Sequence, residues 1–124
     1  MPASPFSVEV RGGHDVATLV MAGDLGAEAD TALDDASVRA TASGATVIVL
    51  DCTAVQYINS TGIALIVRLL ADARQNRREV RAFGLSAHYV EIFQITRISE
   101  FVRIFDSPAA ALAVGLPATA GGQA

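Results

Sequence analysis

The run Val47-Ile48-Val49-Leu50-Asp51-Cys52-Thr53, the connection through Tyr57-Ile58 and the junction Asn59-Ser60-Thr61-Gly62 decide the fold of this 124-residue chain. Four consecutive β-branched or large apolar residues, Val47 to Leu50, predict a strand buried on both faces. From Ile63 onward the period changes. Ile63, Ile66, Val67 and Leu70 recur at helical spacing, with Arg68, Asp72, Gln75 and Asn76 on the other side, which predicts a helix packed on the sheet. The residues between bring a hydroxyl to a helix N-terminus, where the first N–H groups have no intrahelical partner and the helix dipole is positive. A phosphate added there would be accepted at little cost. Gly62 fits a place where a partner backbone comes close, or a backbone angle that glycine takes easily.

Outward from this core the rest of the chain alternates strands and helices. Phe6, Val8 and Val10 alternate with Ser7, Glu9 and Arg11, the period of a half-buried strand. After the turn Gly12-Gly13-His14-Asp15, Val16 to Ala22 resumes as a second strand, predicting an antiparallel hairpin. Gly23-Asp24-Leu25-Gly26 reads as a break. Leu25, Ala29, Ala32, Leu33, Ala36 and Ala40 then recur at helical spacing to about Ala42, and Ser43-Gly44 ends that helix. Val80 to Gly84 predicts a strand, and Ser86 caps a helix over Ala87 to Ile95 that buries Tyr89, Ile92 and Phe93, with Leu85 and Val90 placed as a staple. Thr96 to Glu100 reads as a polar connection and Phe101 to Phe105 as a last strand. Ser107 and Pro108 open a final helix through Val114. Strands alternating with helices predict an α/β fold with one mixed, mostly parallel sheet of about five strands and about four helices.

Composition sets bounds on function. With 52% hydrophobic residues the chain can bury one sizeable core and no second one. No apolar run reaches the roughly 18 residues that span a bilayer, and Met1-Pro2-Ala3-Ser4-Pro5 lacks the form of a signal peptide, so a cytoplasmic protein without membrane insertion is expected. Cys52 is the single cysteine, which excludes an internal disulfide and predicts an inert core thiol. The net charge is −4 and all nine basic residues are arginine, a poor basis for nucleic-acid binding. Arg74, Arg77, Arg78 and Arg81 cluster, and a solvated helix end is the readier reading than a phosphate-binding patch. The histidines, His14 in a turn and His88 in a first helical turn, read as surface residues. Ser60 lacks the Gly-x-Ser-x-Gly elbow, no phosphate loop occurs, and no group has metal-ligand spacing. Neither an enzyme nor a cofactor is expected.

The strand, the junction and the element order resemble the STAS family, and within it the bacterial anti-sigma factor antagonists. There a strand leads to Asp-Ser-Ser/Thr-Gly at the start of a helix, matched here by Asn59, Ser60, Thr61 and Gly62. The resemblance covers about residues 6–115 and leaves 116–124 as a tail expected to be disordered. It implies that the unphosphorylated protein binds an anti-sigma factor doubling as a serine kinase, thereby freeing a sigma factor, and that phosphorylation of Ser60 ends the binding. It also implies a contact surface of Asp24, Asn59, Ser60, Thr61 and Gly62. Gly23-Asp24-Leu25-Gly26 resembles the Gly-Glu/Asp-Leu-Asp element close to the phosphoacceptor, with a turn or cap role for Asp24 as the equal alternative. Two acidic positions of the family are neutral here, Asn59 and Gly26. A scaffolding STAS subunit of a stress-signalling complex, or an accessory subunit of a lipid ABC transporter, is the alternative function. Oligomeric state stays open.

Overall fold

The computed structural model describes residues 4–113 and Gly115. Strand β1 (Ser7–Gly12) pairs antiparallel with β2 (Val16–Leu25), which runs parallel to β3 (Val47–Ile58); β3 runs parallel to β4 (Glu79–Phe83), and β4 to β5 (Arg103–Phe105). The spatial order equals the chain order. Each parallel step moves the same way across the sheet, and the right-handed rule for such crossovers then puts their helices on one face. Those helices are α1 (Asp30–Ala42), α2 (Ser60–Gln75) and α3 (Ala87–Ile95). They cover the main core, where Leu19, Met21, Leu50, Ile66 and Phe93 are almost wholly buried. The last helix, α4 (Pro108–Ala113), follows the edge strand and covers the other face, where Ala111 joins Val47, Val49 and Phe83. The mixed, mostly parallel five-stranded sheet with four helices is therefore as expected. Val114 and the tail 116–124 lie outside the described residues.

Strand and helix limits differ from the expectation in informative ways. Strand β2 does not break at Gly23 but runs on to Leu25, because β3 continues past Thr53 to Ile58 and gives it partners: Gly23 opposite Val55, Asp24 opposite Tyr57, Leu25 opposite Ile58. Gly23 takes φ +88 and lies against Pro5, so glycine there permits a close approach within the sheet. The first helix accordingly starts only at Asp30, after a 3₁₀ turn over Ala27–Ala29. Helix α2 starts at Ser60, and its buried stripe is Gly62, Leu65, Ile66, Leu69, Leu70 and Ala73. The four large members of that stripe contribute roughly 1.5–3 kcal/mol each in transfer free energy. Val67 lies outside it and is 44% exposed, contrary to the expected helix face. Thr96 to Glu100 holds a 3₁₀ turn, Ile98–Glu100, with Ile98 buried, and β5 is shorter than expected because Phe101 closes that turn, its N–H donating to the Ile98 carbonyl at 2.9 Å.

Cys52 is an inert core thiol. It is buried and donates to the Leu50 carbonyl at 3.8 Å. Burial first, and Asp51 second, push its pKa up to about 12, so it stays protonated and unreactive. The arginine cluster is divided: Arg74, Arg77 and Arg78 line one surface cleft, and Arg81 does not join them. Arg81 is buried on β4, Arg78 donates through Nε to the Ala45 carbonyl at 3.1 Å, and Arg74 lies over the Phe101 ring at 5.0 Å.

Candidate functional site at the β3–α2 junction

Asn59 follows β3 in an extended conformation and forms the N-cap of α2: its side-chain Oδ1 accepts from Gly62 N at 2.9 Å. The Asn59 carbonyl accepts the first helical bond from Ile63 N at 2.9 Å, and Asn59 N donates to the Leu25 carbonyl at 3.2 Å. One residue thus joins the end of β2, the end of β3 and the first turn of α2. Of three consecutive residues suited to capping, asparagine takes the task. Ser60 and Thr61 are exposed, and neither hydroxyl hydrogen-bonds to any described residue. A serine hydroxyl is therefore presented to solvent on the first residue of a sixteen-residue helix, with the helix dipole behind it.

Gly62 is needed for packing within the chain. A Cβ on it would lie 2.0 Å from the Leu25 carbonyl oxygen and 2.8 Å from its carbon. The close approach anticipated for this glycine is thus to the chain's own strand β2, and Gly62 itself is buried. Gly26 is the second glycine of the site: a Cβ there would come within 2.7 Å of Asn59 Nδ2. The two neutral positions, Gly26 and Asn59, are consequently neighbours. The absence of a side chain at one leaves room for the cap amide of the other.

Asp24 lies at the same end of the sheet, opposite Tyr57 in register. Its carboxylate accepts from Ser4 N at 3.2 Å, and its own N–H donates to the Ser4 carbonyl at 3.0 Å, so it ties the N-terminal segment to the edge of the site. It makes no hydrogen bond to residues 59–62. Two contributors went unread in the sequence. The Tyr89 hydroxyl accepts from Ile58 N at 2.8 Å and donates to the Ile58 carbonyl at 3.3 Å, anchoring the end of β3 to α3. Its spacing of 31 residues leaves no local signal. Tyr57, 55% exposed, places an aromatic ring on the surface three residues before Ser60. Among the described residues no group of histidine, cysteine or acidic side chains could hold a metal ion.

With this geometry the chain can be set beside known proteins. The family profile described as "Mlab, STAS domain" matches residues 8–104, and the chain belongs to that STAS family. The anti-sigma-B factor antagonist of Listeria monocytogenes is 36% identical over 58 residues, covering 47% of this chain and 51% of that protein. The anti-sigma-B factor antagonist of Listeria innocua matches to the same extent, so the chain spans about half the length of the curated relatives it matches. Solved structures extend the likeness to the whole fold. An anti-sigma factor antagonist from Mycobacterium paratuberculosis superposes with TM-score 0.74 at 15% identity, covering 88% of this chain and 92% of the other. Unphosphorylated SpoIIAA superposes with TM-score 0.66 at 15% identity, covering 86% and 92%. The phosphorylated form of the Bacillus protein SpoIIAA gives 0.65 at 15% identity, covering 86% and 96%. No helix of the described residues is long and apolar enough to cross a membrane.

Proposed function

We propose that this protein is an anti-sigma factor antagonist switched by phosphorylation of Ser60. The observation that carries the reading is the division of labour at the junction: Asn59 holds the cap, which leaves the Ser60 hydroxyl exposed and without a protein partner. The unphosphorylated surface around Ser60, Thr61 and Asn59, with Tyr57 as an aromatic anchor and Asp24 at its edge, binds an anti-sigma factor and frees a sigma factor. Gly62 acts beneath that surface by positioning it. The anti-sigma factor, acting as kinase, transfers the γ-phosphoryl group of ATP to Ser60 Oγ; the hydroxyl proton leaves to a base on the kinase and ADP is released. The added charge of about −1.5 to −2 is tolerated by the helix N-terminus and opposed in the complex. The protein is then the substrate of a kinase and itself a binding module, acting in the cytoplasm.

Ser60→Asp tests the switch. The helix accepts a carboxylate at its first turn, so the melting temperature changes little, whereas affinity for the cognate anti-sigma factor falls at least tenfold, about 1.4 kcal/mol. Titration calorimetry with wild type and variant decides it, and equal affinities would sink the reading.

The neutral cap makes a second test. Aspartate at position 59 keeps the oxygen that caps Gly62 N and adds a charge beside Ser60. That charge repels the incoming phosphate by about 1 kcal/mol at most through solvent. A carboxylate that orients the attacking hydroxyl or a kinase-bound cation outweighs this in phosphoryl transfer. Asn59→Asp is expected to raise the initial phosphorylation rate severalfold with partner affinity unchanged, measured with the same kinase and ATP. A slower or equal rate would mean that the kinase works with asparagine or does not use the position. A scaffolding STAS subunit is the second reading, favoured by the absence of both acidic groups at Gly26 and Asn59; a Ser60 that no kinase modifies would support it.

A further inference from the structure

We propose that the groove between the C-terminal half of α2 and the 3₁₀ turn Ile98–Glu100 docks an acidic amphipathic helix of a protein partner, a contact separate from the Ser60 surface. The groove measures about 680 Å³, with Val67, Leu70, Ile98 and Phe101 among its lining and Arg74 and Arg97 as its charged members. No carboxylate lines it. Its floor is recessed, since Leu70 and Ile98 are 4% and 7% exposed, while its walls Val67 and Phe101 stand 44% and 46% exposed. Ile95, 72% exposed, precedes the lining residue Thr96. Two of the six exposed large apolar side chains of the described residues, Val67 and Phe101, therefore face one another across a single groove, the pattern of an interaction patch rather than of scattered surface residues.

Charge selects the occupant. The chain as a whole carries −4, yet the charged residues that line this groove are both arginines. Arg74 has its guanidinium over the Phe101 ring and no carboxylate partner among the described residues, so its N–H groups remain available. Arg97 pairs with Glu100, but the side chain is 79% exposed and such a surface pair exchanges readily for another carboxylate. Arg97 also sits in the left-handed region at φ 67, the position after a helix end that glycine or asparagine usually takes. A helix with apolar residues at i, i+3, i+4 and i+7 and flanking carboxylates satisfies floor and rim together. A second copy in an isologous contact would set these arginines against their own equivalents, and a flat bilayer would not reach the recessed floor. Val67 lies seven residues beyond Ser60, roughly 10 Å along the helix axis, so the site does not depend on the phosphorylation reading.

Selection from a displayed library of randomised 16-residue helical peptides against the full chain tests the proposal. Recovered peptides should be net acidic with that apolar spacing and should perturb the amide resonances of α2 and of Ile98–Glu100. They should bind Phe101→Asp and Val67→Asp at least tenfold more weakly while far-UV circular dichroism stays unchanged. An Arg74→Glu/Arg97→Glu variant should select basic peptides instead. The proposal is overturned if no peptide is enriched over a Phe101→Asp control, or if enriched peptides lack net negative charge. Binding of the chain to phosphatidylglycerol vesicles that Phe101→Asp abolishes, or a dimer in sedimentation that Phe101→Asp dissolves, would likewise overturn it in favour of a membrane surface or a second copy.

Discussion

Gly62→Val leaves no stably folded protein at 25 °C, and Gly62→Ala loses about 4 kcal/mol or more, beyond the range of ordinary core overpacking. The reason is that the atom struck is backbone. A Cβ at position 62 would stand 2.0 Å from the Leu25 carbonyl oxygen, a contact that no side-chain rotation relieves. Moving that carbonyl also breaks the bond it accepts from Asn59 N, and with it the alignment of the cap that holds Gly62 N. Stability and site geometry therefore fail together. Domains of this size are stable by only about 5–15 kcal/mol, so valine, larger and β-branched inside the first helical turn, takes the remainder. Urea unfolding of the alanine variant is the measurement, and a loss under about 1 kcal/mol would show that α2 can step away from β2. Any alanine variant that does fold should bind partner less tightly per folded molecule, because Ser60 rides on the displaced turn.

What the sequence disclosed follows from which forces are local. The alternation of Phe6, Val8 and Val10, the run Val47 to Leu50 and the cap at Ser86 are local signals, and the hairpin, the central strand and helix α3 stand as they predict; Ser86 Oγ accepts from Tyr89 N at 3.4 Å. The ends of β2 and β3 were illegible because their pairing is mutual. Gly23 reads as a breaker until Val55, thirty-two residues later, supplies its register partner. Asp51 to Gln56 mixes polar and apolar residues because that stretch of β3 is only partly covered. At the site, the serine at a helix start was readable, whereas the identity of the capping residue was not, since Asn59, Ser60 and Thr61 are all competent. Geometry separates them: Asn59 alone has a bond to Leu25 on one side and to Gly62 on the other. The expected helix face included Val67 for a comparable reason. Periodicity locates a stripe only to within about one residue on the helix surface, and the choice between Val67 and Leu69 depends on which neighbour packs where. The residue so displaced is the one that walls the groove.

Arg81→Ala is expected to cost about 3–5 kcal/mol, the range found when one member of a buried ion pair is removed. Sequence placed this arginine in a solvated cluster, yet it is 1% exposed on the sheet face that α4 covers. Its Nε donates to Glu79 Oε2 at 3.0 Å and its Nη2 to Oε1 at 3.2 Å, a two-point contact that lysine could not copy. Nη1 and Nη2 also donate to the carbonyls of Ala111 and Gly115 at 2.8 and 2.7 Å, so a buried cation holds the C-terminal end of α4, where the helix dipole is negative. Glu79 in turn accepts from Arg103 Nη1 at 3.1 Å, linking β4, β5 and α4 in one network. Removing the guanidinium leaves the Glu79 carboxylate, itself largely buried, with one exposed partner and leaves two carbonyls without their donor. Helix α4 has six residues and a single wholly buried side chain, Ala111, so little else retains it. Amide exchange at Ala111, bonded to the Ser107 carbonyl at 3.1 Å, should accelerate far more than exchange in α2. Replacing both charges, Glu79→Leu with Arg81→Met, should be less damaging than Arg81→Ala alone, since the desolvated carboxylate goes with its partner. Because α2 lies on the opposite face, partner affinity per folded molecule stays at the wild-type value. A loss below about 1 kcal/mol, with Ala111 exchange unchanged, would show that apolar contact with Val47, Val49 and Phe83 suffices to seat α4 and that the ion pair merely tolerates its burial.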